Sequence, residues 1–278
     1  MSVKKLALYG MLTAFSAISF MPFQPNVAQA ETLRVGMECT YAPFNYRLPT
    51  GEMAGYDVDV AKGVAELIGA DLEYVCQQFD GMIPALLANK FDLIIASLSI
   101  TKERLEKIDF SIPYRVSIGR FLGPKGKNLN LFDEAGNVIP DNFKGLKVGV
   151  ERATTYNKWI EAELPDANIQ LYDSGQAMLL DLRSGRVDIA ITNPMKAYLD
   201  FLSQENGSGF EFVSPVIDKK EYFGEGVGIG AQKGSEELMA RVNNALATLI
   251  KNGDLEKFSH KYFPFNINPE NWQGIEAN

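Results

Sequence analysis

The chain states one pattern twice. Leu33-Arg-Val-Gly-Met-Glu38 recurs as Leu146-Lys-Val-Gly-Val-Glu151, and Phe91-Asp-Leu-Ile-Ile-Ala-Ser97 recurs as Val187-Asp-Ile-Ala-Ile-Thr-Asn193. Each copy is a short apolar run of strand length that ends in a polar residue and leads into helix-like sequence. Two similar α/β halves are therefore expected, although buried parallel strands draw on few residue types and can look alike for that reason alone. In an open α/β sheet the ligand sits beyond the carboxyl ends of the strands. Two such halves facing each other would gather Glu38, Ser97, Glu151 and Asn193 around one cleft.

Residues 1–30 read as a secretory signal. Lys4 and Lys5 form its charged start, residues 6–20 an apolar stretch too short and broken to span a membrane, and Ala28-Gln29-Ala30 the small-x-small cleavage pattern. No cysteine adjoins that site, so nothing suggests a lipid anchor. The mature chain would begin at Glu31 and keep 248 of the 278 residues, ample for two domains. Removing the signal takes away two lysines and no acid, so the net charge of −8 becomes −10. An acidic exported protein with no basic track is a poor partner for nucleic acid. Export permits a disulfide. Cys39 and Cys76 both follow expected strands at their carboxyl ends, which leaves open a bridge beside the cleft or two buried thiols. The lone His260 cannot build a metal site with two distant cysteines, and it reads as a surface residue of a terminal helix. No metal and no cofactor are expected.

Residues 33–39 form the first expected strand, followed by an amphipathic helix over 57–68 with Val60, Val64, Ala65 and Ile68 on one face. A strand over 72–76, a helix starting at 82–87 and a strand over 91–97 complete a β-α-β-α-β order, which implies a parallel sheet. Residues 111–114 break the pattern, and 115–122 read as an extended crossing out of the first lobe. Residues 131–142 carry no period and read as a surface excursion. The βα order repeats from Leu146 to Ile191 and closes near 213–216. Residues 222–231 are extended again, with Gly224, Gly226, Gly228 and Gly230 on alternate positions. A phosphate-binding loop would use glycines in a turn; strict alternation instead puts them on one strand face, which suits close packing of another backbone or a bending crossover. Ser235 with Glu236 and Glu237 is expected to cap the last long helix, and 255–262 adds a final one. Residues 31–117 and 220–278 are thus assigned to one lobe and 118–219 to the other, joined by two crossings that make a hinge.

The sharpest segment is Ser97-Leu-Ser-Ile-Thr-Lys-Glu-Arg104. It runs from a buried strand into a helix capped by Thr101. Free N–H groups at a helix start attract a carboxylate, and Arg104 can curl back to hold it with two parallel hydrogen bonds. Ser97 and Ser99 add hydroxyl donors. Glu38 suits an ammonium or guanidinium, and Tyr41 follows the same strand. Phe79, after the second strand, can stack on a guanidinium or an alkyl stem. Thr154 and Thr155 can cap the following helix and donate to a ligand. Glu151 and Arg152 are charged at the cleft edge, where they would pair with each other or bridge the lobes. An enzyme needs a base, acid or nucleophile with a supporting group. There is no Gly-x-Ser-x-Gly elbow, no His–Glu metal helix and no Cys–His pair in context, so no catalytic residue is assigned.

These segments, together with Gly55-Tyr-Asp-Val-Asp59, Phe79-Asp-Gly-Met-Ile-Pro84 and Tyr222-Phe-Gly-Glu-Gly-Val-Gly228, resemble the type II periplasmic solute-binding proteins that feed polar amino acids to ABC transporters. The branches that look most similar are the lysine/arginine/ornithine-, histidine- and octopine/nopaline-binding proteins. The resemblance implies a two-lobed α/β fold, each lobe a mostly parallel sheet flanked by helices, with a two-strand hinge. It implies a periplasmic, non-enzymatic monomer that closes on a small ligand and delivers it to a membrane permease. It makes Arg104 the α-carboxylate clamp assisted by Ser97, Ser99 and Thr155, with Tyr41 and Phe79 sandwiching the side chain. Glu38 would face the distal positive charge, with Thr154 nearby. One departure matters: where such proteins usually carry an Asp for the ligand's α-ammonium, this chain has Asn193. That favours a ligand with a substituted α-nitrogen, such as an opine, whose second carboxylate could meet Arg152 or a helix start. Ala96, where basic amino-acid binders have Ser, removes another polar contact. The ligand is therefore expected to be a basic amino acid or an opine-like derivative. Enzymes on the same fold, such as cyclohexadienyl dehydratases, and ligand-sensing receptor partners are the alternatives.

Overall fold

The computed structural model describes residues 31–263 and Ile267; the expected signal segment lies outside the described residues. The first half runs β1 (Glu31–Met37), β2 (Thr40–Tyr41), β3 (Asn45–Arg47), β4 (Met53–Ala54), α1 (Tyr56–Ile68) and β5 (Ala70–Cys76). A 3-10 turn, Phe79–Gly81, leads into α2 (Met82–Leu87), β6 (Leu93–Ile94), α3 (Lys102–Leu105) and β7 (Ile108–Phe110). The chain then crosses over to β8 (Arg120–Pro124), β9 (Lys147–Glu151), α4 (Thr155–Glu163), β10 (Asn168–Tyr172), α5 (Gly175–Arg183) and β11 (Ile189–Thr192). Next come α6 (Pro194–Lys196), a π-helical continuation, Ala197–Leu202, and β12 (Phe210–Phe212). Then α7 (Lys220–Phe223), β13 (Gly230–Gln232), α8 (Glu236–Lys251) and α9 (Asp254–Tyr262) follow as the last elements of the described residues.

Two five-stranded sheets result, ordered β5-β1-β6-β13-β7 and β10-β9-β11-β8-β12. In each, the strand that opens the local repeat sits between two parallel partners: β1 between β5 and β6, β9 between β10 and β11. In each, the fourth strand is antiparallel and adjoins a crossing, β13 beside β6 and β8 beside β11. The crossings run side by side, with bridges Arg115↔Val227 and Gly119↔Ile217. Apolar side chains build a core in each lobe. Leu33, Val35 and Met37 of β1 pack with Val60 and Val64 of α1 and Val242, Leu246 and Leu249 of α8. Val148, Val150, Ile189 and Ile191 pack with Phe121, Phe143 and Trp159 in the second lobe. Full burial stabilises each such side chain by roughly 1.5–3 kcal/mol, so each sheet is anchored in a core of its own, and Met195 of the second lobe joins the first-lobe core across the boundary.

Several local expectations need correction. The third strand is regular only over Leu93–Ile94, because Ser97 adopts a left-handed backbone (φ 56°) that turns the chain out of the sheet. Residues 131–142 are not a free excursion: Leu131 and Phe143 are buried in the second core, and Phe132 bridges Val138. The segment from Tyr222 is not extended at its start, since Lys220–Phe223 is a helical turn. It ends at Gly224 (φ 69°), where a β-carbon would strike the Ile100 carbonyl. Close backbone packing thus explains the glycines, but through left-handed turns at Gly224 and Gly226 rather than one regular strand face. Ser235 precedes α8 without capping it by side chain. Of the two readings of the cysteines, Cys39 and Cys76 are joined, with Cα atoms 5.6 Å apart, because β1 and β5 pair with Met37 opposite Cys76. His260 is half-exposed, 3.6 Å from Glu256. Among the described residues no helix is long and apolar enough to cross a membrane.

Candidate functional site

The first-lobe wall is set by a buried acid behind it. Asp57, in the first turn of α1, accepts hydrogen bonds from Asn45 Nδ2, Ser97 Oγ and the Tyr114 hydroxyl, each at 2.8 Å. Burial raises its pKa; the nearby Arg115 cation and these donors oppose that. Asn45 in turn accepts from the N–H groups of Glu38 and Cys39 at 3.0 and 3.2 Å. One carboxylate therefore fixes both strand ends, β1 at Glu38 and β6 at Ser97. Three of the non-glycine residues with positive φ, Cys39, Ser97 and Ala153, lie at these cleft-facing ends. A left-handed residue with a β-carbon costs about 1–2 kcal/mol, which is a sign of backbone held in place by its surroundings.

Thr101 caps α3, accepting the Arg104 N–H at 3.3 Å. The Arg104 guanidinium donates to the Ser99 carbonyl of its own lobe and to the Ala153 carbonyl of the other, both at 3.0 Å. It also lies over the Phe79 ring, 5.6 Å from the centroid. Desolvation by the surrounding atoms brings its pKa down to about 10, with Glu103 opposing, so it stays a cation at neutral pH. The guanidinium thus meets two neutral carbonyls, and its ion-pairing capacity is unspent.

From the second lobe, Thr154 caps α4 by accepting the Asn157 N–H at 3.2 Å and donates to the Glu151 carbonyl at 2.7 Å. Glu151 ends β9 and is buried, with no hydrogen-bond partner at Oε1. Its pKa is pushed well up by burial first and by Glu38 second, with Lys196 pulling the other way. Glu38 is pushed up by burial too, against the Thr40 hydroxyl at 2.9 Å and Lys196. Two buried acids, one after β1 and one at the end of β9, thus line the same cleft.

Nine of the ten expected residues line one pocket between the lobes: Glu38, Tyr41, Phe79, Ser97, Ser99, Arg104, Glu151, Thr154 and Thr155. Ala96 and Tyr156 complete the lining. Asn193 does not line it. Asn193 is fully buried and caps α6, its Oδ1 accepting from the N–H groups of Met195 and Lys196 at 2.9 and 3.3 Å. Arg152 is turned away to Asp173, 3.0 Å off, so it neither pairs with Glu151 nor reaches the space.

Sequence reading missed two residues. Tyr156 donates its hydroxyl to the Ile118 carbonyl of the crossing segment at 3.3 Å; its pKa is raised to about 12, mainly by burial. Lys196 is wholly buried, paired with Asp200 at 2.8 Å, donating to the first-lobe Ala42 carbonyl at 3.2 Å and seated 4.8 Å from the Tyr41 ring centroid. The Lys–Asp spacing of four was the one available signal, and on a sequence it reads as an ordinary surface helix pair.

Two hinged lobes with a pocket lined by charged, hydroxyl and aromatic side chains between their strand ends form a protein that captures a small solute. Residues 33–265 match the bacterial extracellular solute-binding proteins, family 3. The chain belongs to that family. It is 37% identical over 267 residues to an L-arginine-binding protein of Pseudomonas aeruginosa, covering 95% of this chain and 98% of the relative. It is 32% identical over 262 residues to the lysine/arginine/ornithine-binding periplasmic protein of Escherichia coli, covering 94% and 95%. Among solved structures, an ancestral arginine-binding protein bound to arginine superposes with a TM-score of 0.73 at 33% identity, covering 84% of this chain and 98% of that one.

Proposed function

We propose that this protein is the periplasmic capture component of an ABC importer. Its ligand is a small molecule with a carboxylate at one end and a positive group at the other, of the basic amino-acid or opine-like kind. The observation that carries the reading is the bipolar cleft. Arg104 is a cation whose hydrogen bonds go to carbonyl oxygens, and Glu38 and Glu151 are buried acids lining the same space. A carboxylate on the guanidinium makes the charge-assisted fork that Arg104 lacks, and a distal cation relieves the repulsion between the two acids. Tyr41 and Phe79 flank the ligand's stem, while Ser97, Ser99, Thr154 and Thr155 supply hydroxyls; Asn193 shapes the second-lobe wall from behind.

The signal segment is cleaved after Ala30, and the mature protein works as a monomer with lobes 31–117 plus 220–278 and 118–219. It delivers its ligand unchanged to a permease pair. The contacts Arg104 to Ala153 and Lys196 to Ala42 join the lobes and are the ones that opening would break. A thermal-shift screen of arginine, ornithine, lysine, histidine, octopine and nopaline, followed by calorimetry, tests this reading. At least one should bind, be recovered intact, and compact the protein in small-angle scattering. Failure of every compound, or its conversion to product, overturns it.

A further inference from the structure

A lysine with no exposed surface needs a full set of partners, because an unpaired buried cation is costly. Lys196 is wholly buried, and its partners lie on both sides of the lobe boundary. In its own segment it pairs with Asp200, one turn on, at 2.8 Å. From the first lobe it takes the Ala42 carbonyl at 3.2 Å and the Tyr41 ring, with Nζ 4.8 Å from the centroid. Met195 and Leu199, on either side of it in the chain, pack against the first-lobe core. The segment that carries these residues passes from α6 into the π-helical stretch, and π-helical turns are frequent at functional sites. Gly175, the first residue of α5, makes room for the lysine stem: a β-carbon there would lie 2.9 Å from Lys196 Cε. An ion pair that also crosses between the lobes, Glu103 with Lys158 at 3.7 Å, is more than half exposed on both sides, where such pairs contribute little.

Both first-lobe groups that Lys196 touches belong to one turn, and Tyr41 of that turn lines the pocket. The Tyr41 ring is also stacked on Phe44, with centroids 5.5 Å apart. Tyr41 is therefore held by Phe44 from its own lobe and by Lys196 from the other. All of these contacts are between protein groups, so they form whenever the lobes close.

We propose that Lys196 is a positioning residue of ligand capture: it latches the second lobe onto the Tyr41–Ala42 turn, fixes the aromatic wall of the pocket and slows release by holding the lobes closed. The proposal rests on the capture function above. A latch raises the population of the closed form, and apparent affinity scales with that population. Its loss is felt mainly in the dissociation rate.

Lys196→Met tests this, because it keeps the buried stem and removes the ammonium, while Asp200, 29% exposed, still reaches water. Small-angle scattering on the ligand-free protein reads closure, and stopped-flow mixing with L-arginine reads exchange. The variant should be more extended than the native protein. L-Arginine should leave it at least ten-fold faster, with an association rate changed less than three-fold. Gly175→Ala gives a second reading that leaves the buried charge in place. It sets a β-carbon against the lysine stem in a helix that favours alanine, and its other near neighbour, Glu151 Oε2 at 3.4 Å, stays in ordinary contact. It should act in the same direction as Lys196→Met and add nothing in the Lys196→Met background. Coincident scattering profiles for native and Lys196→Met proteins, equal L-arginine dissociation rates, or full additivity of the two substitutions would each refute the latch. If L-arginine does not bind the native protein, arginine falls as the captured ligand, and the scattering comparison alone decides the latch.

Discussion

The two lobes use the same strand ends differently. In the first, the polar residues after β1 and β6 are Glu38 and Ser97, and both line the cleft. A buried acid, Asp57, holds them there through Asn45 and through Ser97 itself. In the second, the equivalents after β9 and β11 are Glu151 and Asn193. Glu151 lines the cleft, but Asn193 is withdrawn into the cap of α6, and Lys196 three residues on reaches across to the first lobe. The lesson is that a repeated backbone leaves the chemistry of each half free to diverge. One lobe presents an arginine on a rigid polar scaffold; the other presents an acid, a bridging lysine and a wall.

The largest expected effect tests the scaffold of the first lobe. Asp57→Ala removes the acceptor of three hydrogen bonds, two of them buried, and the counter-charge of Arg115. Breaking such a cluster by deleting one partner costs about 3–5 kcal/mol. Urea unfolding should show that loss in the first-lobe transition, and a change within experimental error would refute the assignment of Asp57 as the organiser. Next comes Arg104→Ala, which sits on the surface of the same scaffold and should leave the fold intact. Losing one partner of a desolvated ion pair costs about 2–5 kcal/mol, equivalent to roughly 30-fold to several thousand-fold in dissociation constant. Native affinity in a folded Arg104→Ala protein would sink the clamp.

A smaller effect probes the two buried acids. Folding raises Glu38 and Glu151 above the ordinary carboxylate value of 4.5. In the window above that value the native state keeps protons that the unfolded chain has released, so ligand-free stability falls as pH rises. Affinity for a ligand with a cationic end should move the other way, strengthening as the two acids ionise, with Lys196, Asp57 and Asp80 as the neighbouring charges. Glu151→Gln should flatten both dependences; parallel profiles for native and variant proteins would mean that the acids do not face the ligand. The smallest effect compares two caps. Thr154→Ala should lose about 1 kcal/mol, because Thr154 holds the start of α4, whereas Ser235→Ala should be near neutral, because Ser235 makes no cap bond. Equal losses from thermal melts would show that the capping distinction is unreal.

By itself the sequence determined the two-lobed α/β plan, because strands buried on both faces must read as apolar runs and repeat visibly at 33–38 and 146–151. It determined most of the cleft lining as well, since a polar residue at the end of such a run emerges at the carboxyl edge of the sheet. Thr101 and Thr154 were legible as caps because capping is local, set within three residues. Only the tertiary structure decided the rest. Whether Cys39 met Cys76 depended on β1 lying beside β5. Whether Lys196 was a surface lysine or a buried bridge depended on how close Ala42 and Tyr41 of the other lobe came. Asn193 looked like a cleft residue from its register, yet its oxygen was taken by its own helix start. Those outcomes are contacts between segments far apart in the chain, and no periodicity or spacing encodes which side chain wins a place in a space that two lobes share.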